Sequence, residues 1–132
     1  MFIKNSVIDI PIVQGTTSTG ANSIAIKNSR FFIVAGGDFN KKDDNTQNLA
    51  ITKNAGKSWA FPSIAPHGYR SCIEYLKGKI WVTCGLNGVD ISNDDGSTWK
   101  LIDKKSYHVC RKSKKDNVIF LAGPSKVAKI TF

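Results

Sequence analysis

Two short segments of the chain hold most of the residue types that could perform chemistry. In a strand, alternation places the side chains of Arg70, Cys72 and Glu74 on one face. It likewise places His108 and Cys110 on one face of a second strand. The candidates for a channel or ligand site are therefore His67, Tyr69, Arg70, Cys72, Glu74, His108, Cys110 and Arg111.

These candidates support two interpretations. If the two faces meet, the group could bind an anion or a soft metal, or hold a reactive thiolate beside histidine and arginine. The structural alternative is that Arg70 pairs with Glu74 or a carbonyl, while the cysteines pack in the core. The three cysteines, Cys72, Cys84 and Cys110, lack the spacing of a disulfide framework or a zinc site, so we expect no metal and no cofactor.

A turn motif occurs twice, at residues 52–59 and 92–99, and both copies fit Ser/Thr-x-Asp/Asn-x-Gly-x-Ser/Thr-Trp. The two tryptophans lie 40 residues apart, which is the length of a four-stranded propeller blade. The motif positions are Thr52, Asn54, Gly56, Ser58 and Trp59 in the first copy and Ser92, Asp94, Gly96, Thr98 and Trp99 in the second.

Each residue of the motif has a structural reason. Asn54 or Asp94 can accept hydrogen bonds from backbone N–H groups about two residues further on, and the glycine supplies a positive φ. The hydroxyl adds a local bond, and the tryptophan packs under the turn. We interpret both copies as folding devices at the blade periphery rather than as parts of a site.

Short β-type runs separated by polar turns surround these motifs. They form repeats over about residues 21–62, 69–103 and 106–132, preceded by an orphan strand at 7–13. The third repeat lacks its fourth strand. The sequence therefore predicts one all-β domain over residues 1–132, a partial β-propeller of about three four-stranded blades. The N-terminal strand or missing blades would complete the last blade, and further blades or a second copy would complete the ring.

The first repeat carries an insertion at residues 38–48. Thirteen positions separate Gly36 from Leu49, but only four separate the equivalent Gly85 from Val89. Insertions of this kind often mark a functional face, although they are also simply tolerated.

The chain is basic, with 19 Lys and Arg against 10 Asp and Glu and a net charge of +9. Such a surface could bind a polyanion. The lysines are scattered over loops without a recognised nucleic-acid motif, so we favour a solvated surface and do not expect a nucleic-acid partner. No apolar stretch is long enough to span a membrane, and residues 1–5 show no signal-peptide core.

Several segments resemble the bacterial Asp-box (BNR-type) β-propellers similar to photosystem II stability/assembly factors. They are residues 66–75, 83–85 with 88–90, 107–112 and 120–130, so the resemblance covers almost the whole chain. It implies a propeller that binds another protein, often outside the cytoplasm. Many relatives are labelled oxidoreductases, but no dinucleotide-binding glycine motif, haem attachment sequence or paired redox cysteines support that label here.

We therefore expect a non-catalytic scaffold that binds another protein through the loops around residues 67–70 and the insertion at 38–48. One alternative is an enzyme, either redox or sialidase-like, that uses a central-channel His/Cys/Arg group. Sialidases need three converging arginines, whereas Arg30, Arg70 and Arg111 occur at different phases of their repeats. A second alternative is a polyanion binder that uses the lysine-rich surface.

Overall fold

The computed structural model describes residues 5–132, and this part of the chain is all-β. The first four residues, part of the segment searched for a signal peptide, lie outside the described residues. The strands are β1 (Thr19–Ile26), β2 (Phe32–Asp38), β3 (Leu49–Thr52), β4 (Cys72–Lys77), β5 (Ile80–Gly85), β6 (Gly88–Ser92), β7 (Lys100–Asp103), β8 (Val109–Lys112), β9 (Val118–Ala122) and β10 (Val127–Thr131).

The strands form three antiparallel sheets in chain order, as expected for successive propeller blades. The first blade has the strand order β1-β2-β3, the second β4-β5-β6-β7 and the third β10-β9-β8. The middle strands β2 and β5 are almost completely buried, which explains why they read as continuous apolar runs rather than as alternating ones.

The first strand of each blade lies beside its counterpart in the next blade, since β1 contacts β4 and β4 contacts β8. Two clusters fill the spaces between the sheets. Ile73 and Trp81 of the second blade pack against Ile33 and Leu49 of the first. Cys72 belongs to the other cluster, which includes residues of the third blade. Alternate residues of β4 therefore pack into different inter-blade clusters.

The fourth strand expected in the first blade, around Ser58 to Phe61, is reduced to one bridge between Ile51 and Ala60. Beyond it the chain crosses to the second blade, where Ile64 forms a parallel bridge with Thr98. This crossing directs the backbone away from β3 and ends the pairing.

The orphan strand predicted at residues 7–13 is not formed. The segment lies against the first blade: the Val13 N–H donates to the Gln47 carbonyl at 3.0 Å, and Ile12 packs on Val34 and Ala50. Alternating apolar residues also suit an extended segment that covers a sheet face, and Pro11 has no N–H to contribute to a ladder. Within the described residues the third blade thus has three strands.

Candidate functional site

Arg70 is buried at the loop that leads into β4, with no exposed surface. A guanidinium has five N–H donors, and each of the five has an acceptor in the protein. The Asp90 carboxylate lies 3.0 Å from Nη1, and the Gly88 carbonyl lies 2.8 Å from it. The remaining acceptors are the carbonyls of His67 and Gly68 and the Asn87 amide oxygen. Burial lowers the pKa of Arg70, and the Asp90 charge opposes that shift.

His67 shares the same carboxylate. Its Nδ1 lies 2.7 Å from Asp90 Oδ1, and its backbone N–H donates to Oδ2 at 3.2 Å. The ring is half exposed, with 51% of the side-chain surface accessible. A carboxylate on Nδ1 fixes the orientation of the ring and directs Nε2 outwards.

The insertion is fastened to this cluster. The Tyr69 N–H donates to the Lys42 carbonyl at 3.0 Å, and the Asn87 amide donates to Asp43 at 2.9 Å. Gly68 has a φ of +79°, and a Cβ there would lie 1.9 Å from the Lys42 carbonyl oxygen, so only glycine fits. We call residues 38–48, 65–70 and 85–88 together the rim surface.

Aromatic and amide groups complete the rim surface. The Tyr69 ring packs edge-on against Phe39 with centroids 5.5 Å apart. Burial raises the pKa of Tyr69, and a hydrogen bond with Asn22 opposes that shift. The buried Asn48 amide donates to the carbonyls of Pro66 and Gly68 at 3.1 and 2.7 Å.

A second cluster lies where the innermost strands of the three blades meet. Cys72 of β4 has its sulfur 3.1 Å from Arg111 Nη1 of β8 and 3.8 Å from the Ser23 hydroxyl of β1. The Ser23 oxygen also accepts the Ile73 N–H at 3.0 Å, which leaves its proton free to point at the sulfur. We call Ser23, Cys72, Cys110 and Arg111 the axis cluster.

Hydrogen bonds set the ionisation of this cluster. Those from Cys110, Ser23 and Arg111 lower the pKa of Cys72 to about 5, against the effect of burial. The bond to Cys72, the contact with Cys84 and burial raise the pKa of Cys110. The hydrogen bond and the charge of Cys72 raise the pKa of Arg111. The arrangement therefore favours a thiolate at Cys72 over one at Cys110, whose sulfur lies 3.9 Å from the Val82 carbonyl.

The eight candidates thus separate into groups. His67, Tyr69 and Arg70 belong to the rim surface, and Cys72, Cys110 and Arg111 to the axis cluster. Glu74 accepts the Lys112 N–H at 3.0 Å and does not pair with Arg70. His108 is exposed while Cys110 is buried, so these two do not share surroundings.

The three arginines lie in separate surroundings. Arg30 is exposed at the turn between β1 and β2, Arg70 is enclosed, and Arg111 lies against Cys72. No hydrogen bond within residues 5–132 connects any two of their guanidinium groups to a shared partner.

Sequence reasoning missed Asp90 and Ser23. Asp90 was detectable, because a carboxylate between Val89 and Ile91 in an apolar run needs a buried partner. Ser23 had no comparable signal, since its role depends on the position of β4.

The two repeated turns lie apart from both clusters. Asn54 Oδ1 accepts the Ser58 N–H at 2.9 Å, and Asp94 Oδ1 accepts the Thr98 N–H at 2.8 Å. These acceptors thus reach four residues along the chain rather than about two. The Thr52 and Ser92 hydroxyls accept the N–H groups of Gly56 and Gly96, whose φ values of +82° and +88° agree with the prediction.

Among residues 5–132, no group of three His, Cys, Asp or Glu side chains is arranged to hold a metal ion. In the same part of the chain there is no helix with the length and apolar character to cross a membrane.

The likeness of this chain to known proteins lies in its fold. No protein-family model and no curated protein matches this chain. The chain is similar to a solved structure described as YCF48 bound to D1 peptide, with a TM-score of 0.58 and 12% sequence identity. The match covers 90% of this chain and 38% of that one, so this chain spans well under half of the other's length. At this identity the likeness shows the fold, a partial β-propeller, and confirms that part of the sequence prediction.

Proposed function

We propose that this chain is a non-catalytic scaffold that binds another protein through the rim surface, in the manner of Asp-box propellers of the photosystem-assembly-factor type. The observation that carries the proposal is the enclosed Arg70. Its guanidinium ties the loops at residues 65–70 and 85–88 to Asp90 and to each other. Tyr69 and Asn87 of these loops fasten the insertion, so the exposed groups of the rim surface are held in fixed positions.

The rim surface has features that suit contact with a polypeptide. Phe39 is 55% exposed, and the half-exposed His67 ring lies on the loop beside it. Two cavities of about 160 and 230 Å³ flank the insertion. Side chains alternate between them: Asn45 and Gln47 line the first, while Asp44 and Thr46 line the second. The similar solved structure, YCF48 bound to D1 peptide, holds a peptide, which supports this class of function.

Site-specific crosslinking tests the proposal. A photoreactive benzoylphenylalanine replaces His67 or Phe39 in the protein expressed in its native cells. The control position is Ile102, an exposed residue of β7 outside the rim surface. We expect the same protein to be crosslinked from both rim positions and not from position 102. The proposal fails if the rim positions give no adduct, or if all three positions capture the same proteins.

One observation favours polyanion binding as a second candidate. Nine of the 19 Lys and Arg residues, but only two of the 10 acidic residues, lie in residues 100–132. The cations are therefore concentrated on the third blade and the segment leading into it.

Inorganic polyphosphate is the probe for this candidate. Because phosphate contacts release counterions, binding should weaken steeply as salt is raised. The double variant Lys104→Gln/Lys105→Gln should weaken binding, whereas Lys41→Gln/Lys42→Gln is the matched control in the insertion. Equal effects of the two variants, or binding insensitive to salt, would contradict this candidate.

A further inference from the structure

The Cys72 sulfur has two donors beside it as well as one acceptor, the Cys110 carbonyl at 3.4 Å. A neutral thiol is a weak donor and a weak acceptor, so it needs few partners in a core. Here the Arg111 guanidinium and the Ser23 hydroxyl both point at the sulfur from other blades. Donors that converge on a sulfur stabilise its anion, and the anion is the nucleophile.

The charged, titratable and hydroxyl groups that face Cys72 come from four strands. Strand β8 contributes Arg111 and the Cys110 thiol, and β5 contributes Cys84, the cross-strand partner of Cys72. On β4 itself, Glu74 is occupied by the Lys112 N–H. Strand β1 contributes the Ser23 hydroxyl. The cationic Arg111 is thus the charge closest to the sulfur, at 3.1 Å.

Access to the sulfur is narrow. Cys72 is 4% exposed, whereas Arg111 is an exposed residue. The Nη1 atom of Arg111 lies between the Cys72 sulfur and the Cys110 carbonyl, 2.8 Å from the latter. Arg111 thus joins the sulfur to solvent, and because the sulfur is packed among core residues, only a small molecule could reach it.

We propose that Cys72 is an oxidation site for small hydroperoxides. The thiolate attacks one peroxide oxygen, a sulfur–oxygen bond forms and the oxygen–oxygen bond breaks. The leaving hydroxide takes a proton and departs as water, or the corresponding alcohol from an alkyl peroxide. Sulfur is oxidised by two electrons to a sulfenic acid, and the peroxide is reduced by the same two electrons. This activity is independent of the proposed protein binding.

The test treats the folded 132-residue chain with hydrogen peroxide in the presence of dimedone, which traps sulfenic acids, and locates the label by mass spectrometry. We expect label on Cys72 and little on Cys84 or Cys110, which are 0% and 1% exposed. Arg111→Ala should reduce the labelling rate at pH 6 by about tenfold, because loss of an adjacent cation raises a thiol pKa by about one to three units. Arg111→Lys should retain part of the rate, and Arg30→Ala is the control arginine.

The pH profile gives a second readout that a purely structural arginine would not change. The labelling rate of the unmodified chain should rise with pH through about 5 and then stay level, because the thiolate forms there. In Arg111→Ala the rise should move to higher pH. The proposal fails if Cys72 labels no faster than the other two cysteines, or if the rise lies near the ordinary cysteine pKa of about 8.5. It also fails if Arg111→Ala and Arg30→Ala label alike.

Discussion

The rim surface and the axis cluster each contain an arginine, and the two arginines have different surroundings. Arg70 places all five donors on oxygen atoms of its own chain and is completely buried. Arg111 is exposed, and it directs one nitrogen at the Cys72 sulfur and the Cys110 carbonyl. A buried cation whose N–H donors all have acceptors holds loops in place. An exposed cation beside a sulfur can instead change how that sulfur reacts.

The largest effect should follow from removing the partner of Arg70. Asp90→Asn keeps the shape of the side chain but leaves the buried guanidinium without its counter-charge. Breaking a buried pair in this way costs about 3–5 kcal/mol in the free energy of unfolding. Urea denaturation measures the loss, and Glu74→Gln is the control, because Glu74 accepts one backbone N–H from a half-buried position. A loss for Asp90→Asn no larger than that of the control would mean that the rim surface does not depend on this pair.

The next effect should come from Gly68, where the rim loops approach most closely. Gly68→Ala would place a methyl group against the Lys42 carbonyl and hold alanine at φ +79°. The matched control is Gly78→Ala, since Gly78 also has a positive φ, +54°, but has open space around it. We expect the control to lose about 1–2 kcal/mol from backbone strain alone, and Gly68→Ala to lose more. Hydrogen exchange of residues 38–48 should also accelerate in Gly68→Ala but not in the control.

The repeated turns allow a smaller and more sharply matched comparison. Trp99 Nε1 donates to the Gly96 carbonyl at 2.8 Å, while Trp59 Nε1 is buried without a partner among residues 5–132. Trp99→Phe loses a hydrogen bond, whereas Trp59→Phe removes an unsatisfied N–H group. Trp99→Phe should therefore be the more destabilising by about 1–2 kcal/mol in thermal or urea unfolding. Equal losses would show that ring packing, and not the N–H group, determines the cost in both turns.

The sequence predicted the features that depend on residues close together in the chain. It missed the contacts that depend on residues far apart in the chain. Turn geometry follows from residues within one motif, so the positive φ of Gly56 and Gly96 was predictable. The burial and pairing of Arg70 were not predictable, because its acceptor Asp90 lies 20 residues away and no local pattern connects the two. The separation of His67 from Cys72 has a similar origin. Alternation along a strand gives the two faces, but not which neighbouring sheet each face meets.

Two expected strands were missed for a related reason. Residues 7–13 alternate like a strand, yet the same pattern allows Ile12 to cover the face of the first blade. The apolar run from Ser58 to Phe61 pairs at only one position, Ala60. In both segments the pattern of apolar and polar side chains correctly indicated an extended chain. It did not show whether a neighbouring strand was available to pair with it.

Below about pH 5, where Cys72 is protonated, Arg111→Ala should have the smallest effect on stability, because the side chain is exposed and surface charges contribute little to folding. The main effect of Arg111→Ala should be a change in how the free energy of unfolding depends on pH. The folded pKa of Cys72 is lowered to about 5, while an unfolded thiol titrates at about 8.5. Between these values the unfolded chain binds a proton that the folded chain does not, so stability should rise with pH across this window. This stabilising contribution of the Cys72 thiolate is fully present above about pH 8.5 and is lost as the pH falls through about 5.

Urea unfolding at pH 5, 7 and 8.5 measures this dependence. The free energy of unfolding should rise less steeply with pH for Arg111→Ala than for the unmodified chain, and Arg30→Ala should keep the original slope. If all three chains share one slope, Arg111 does not stabilise the thiolate, and the axis cluster would then be a packing arrangement like the rim.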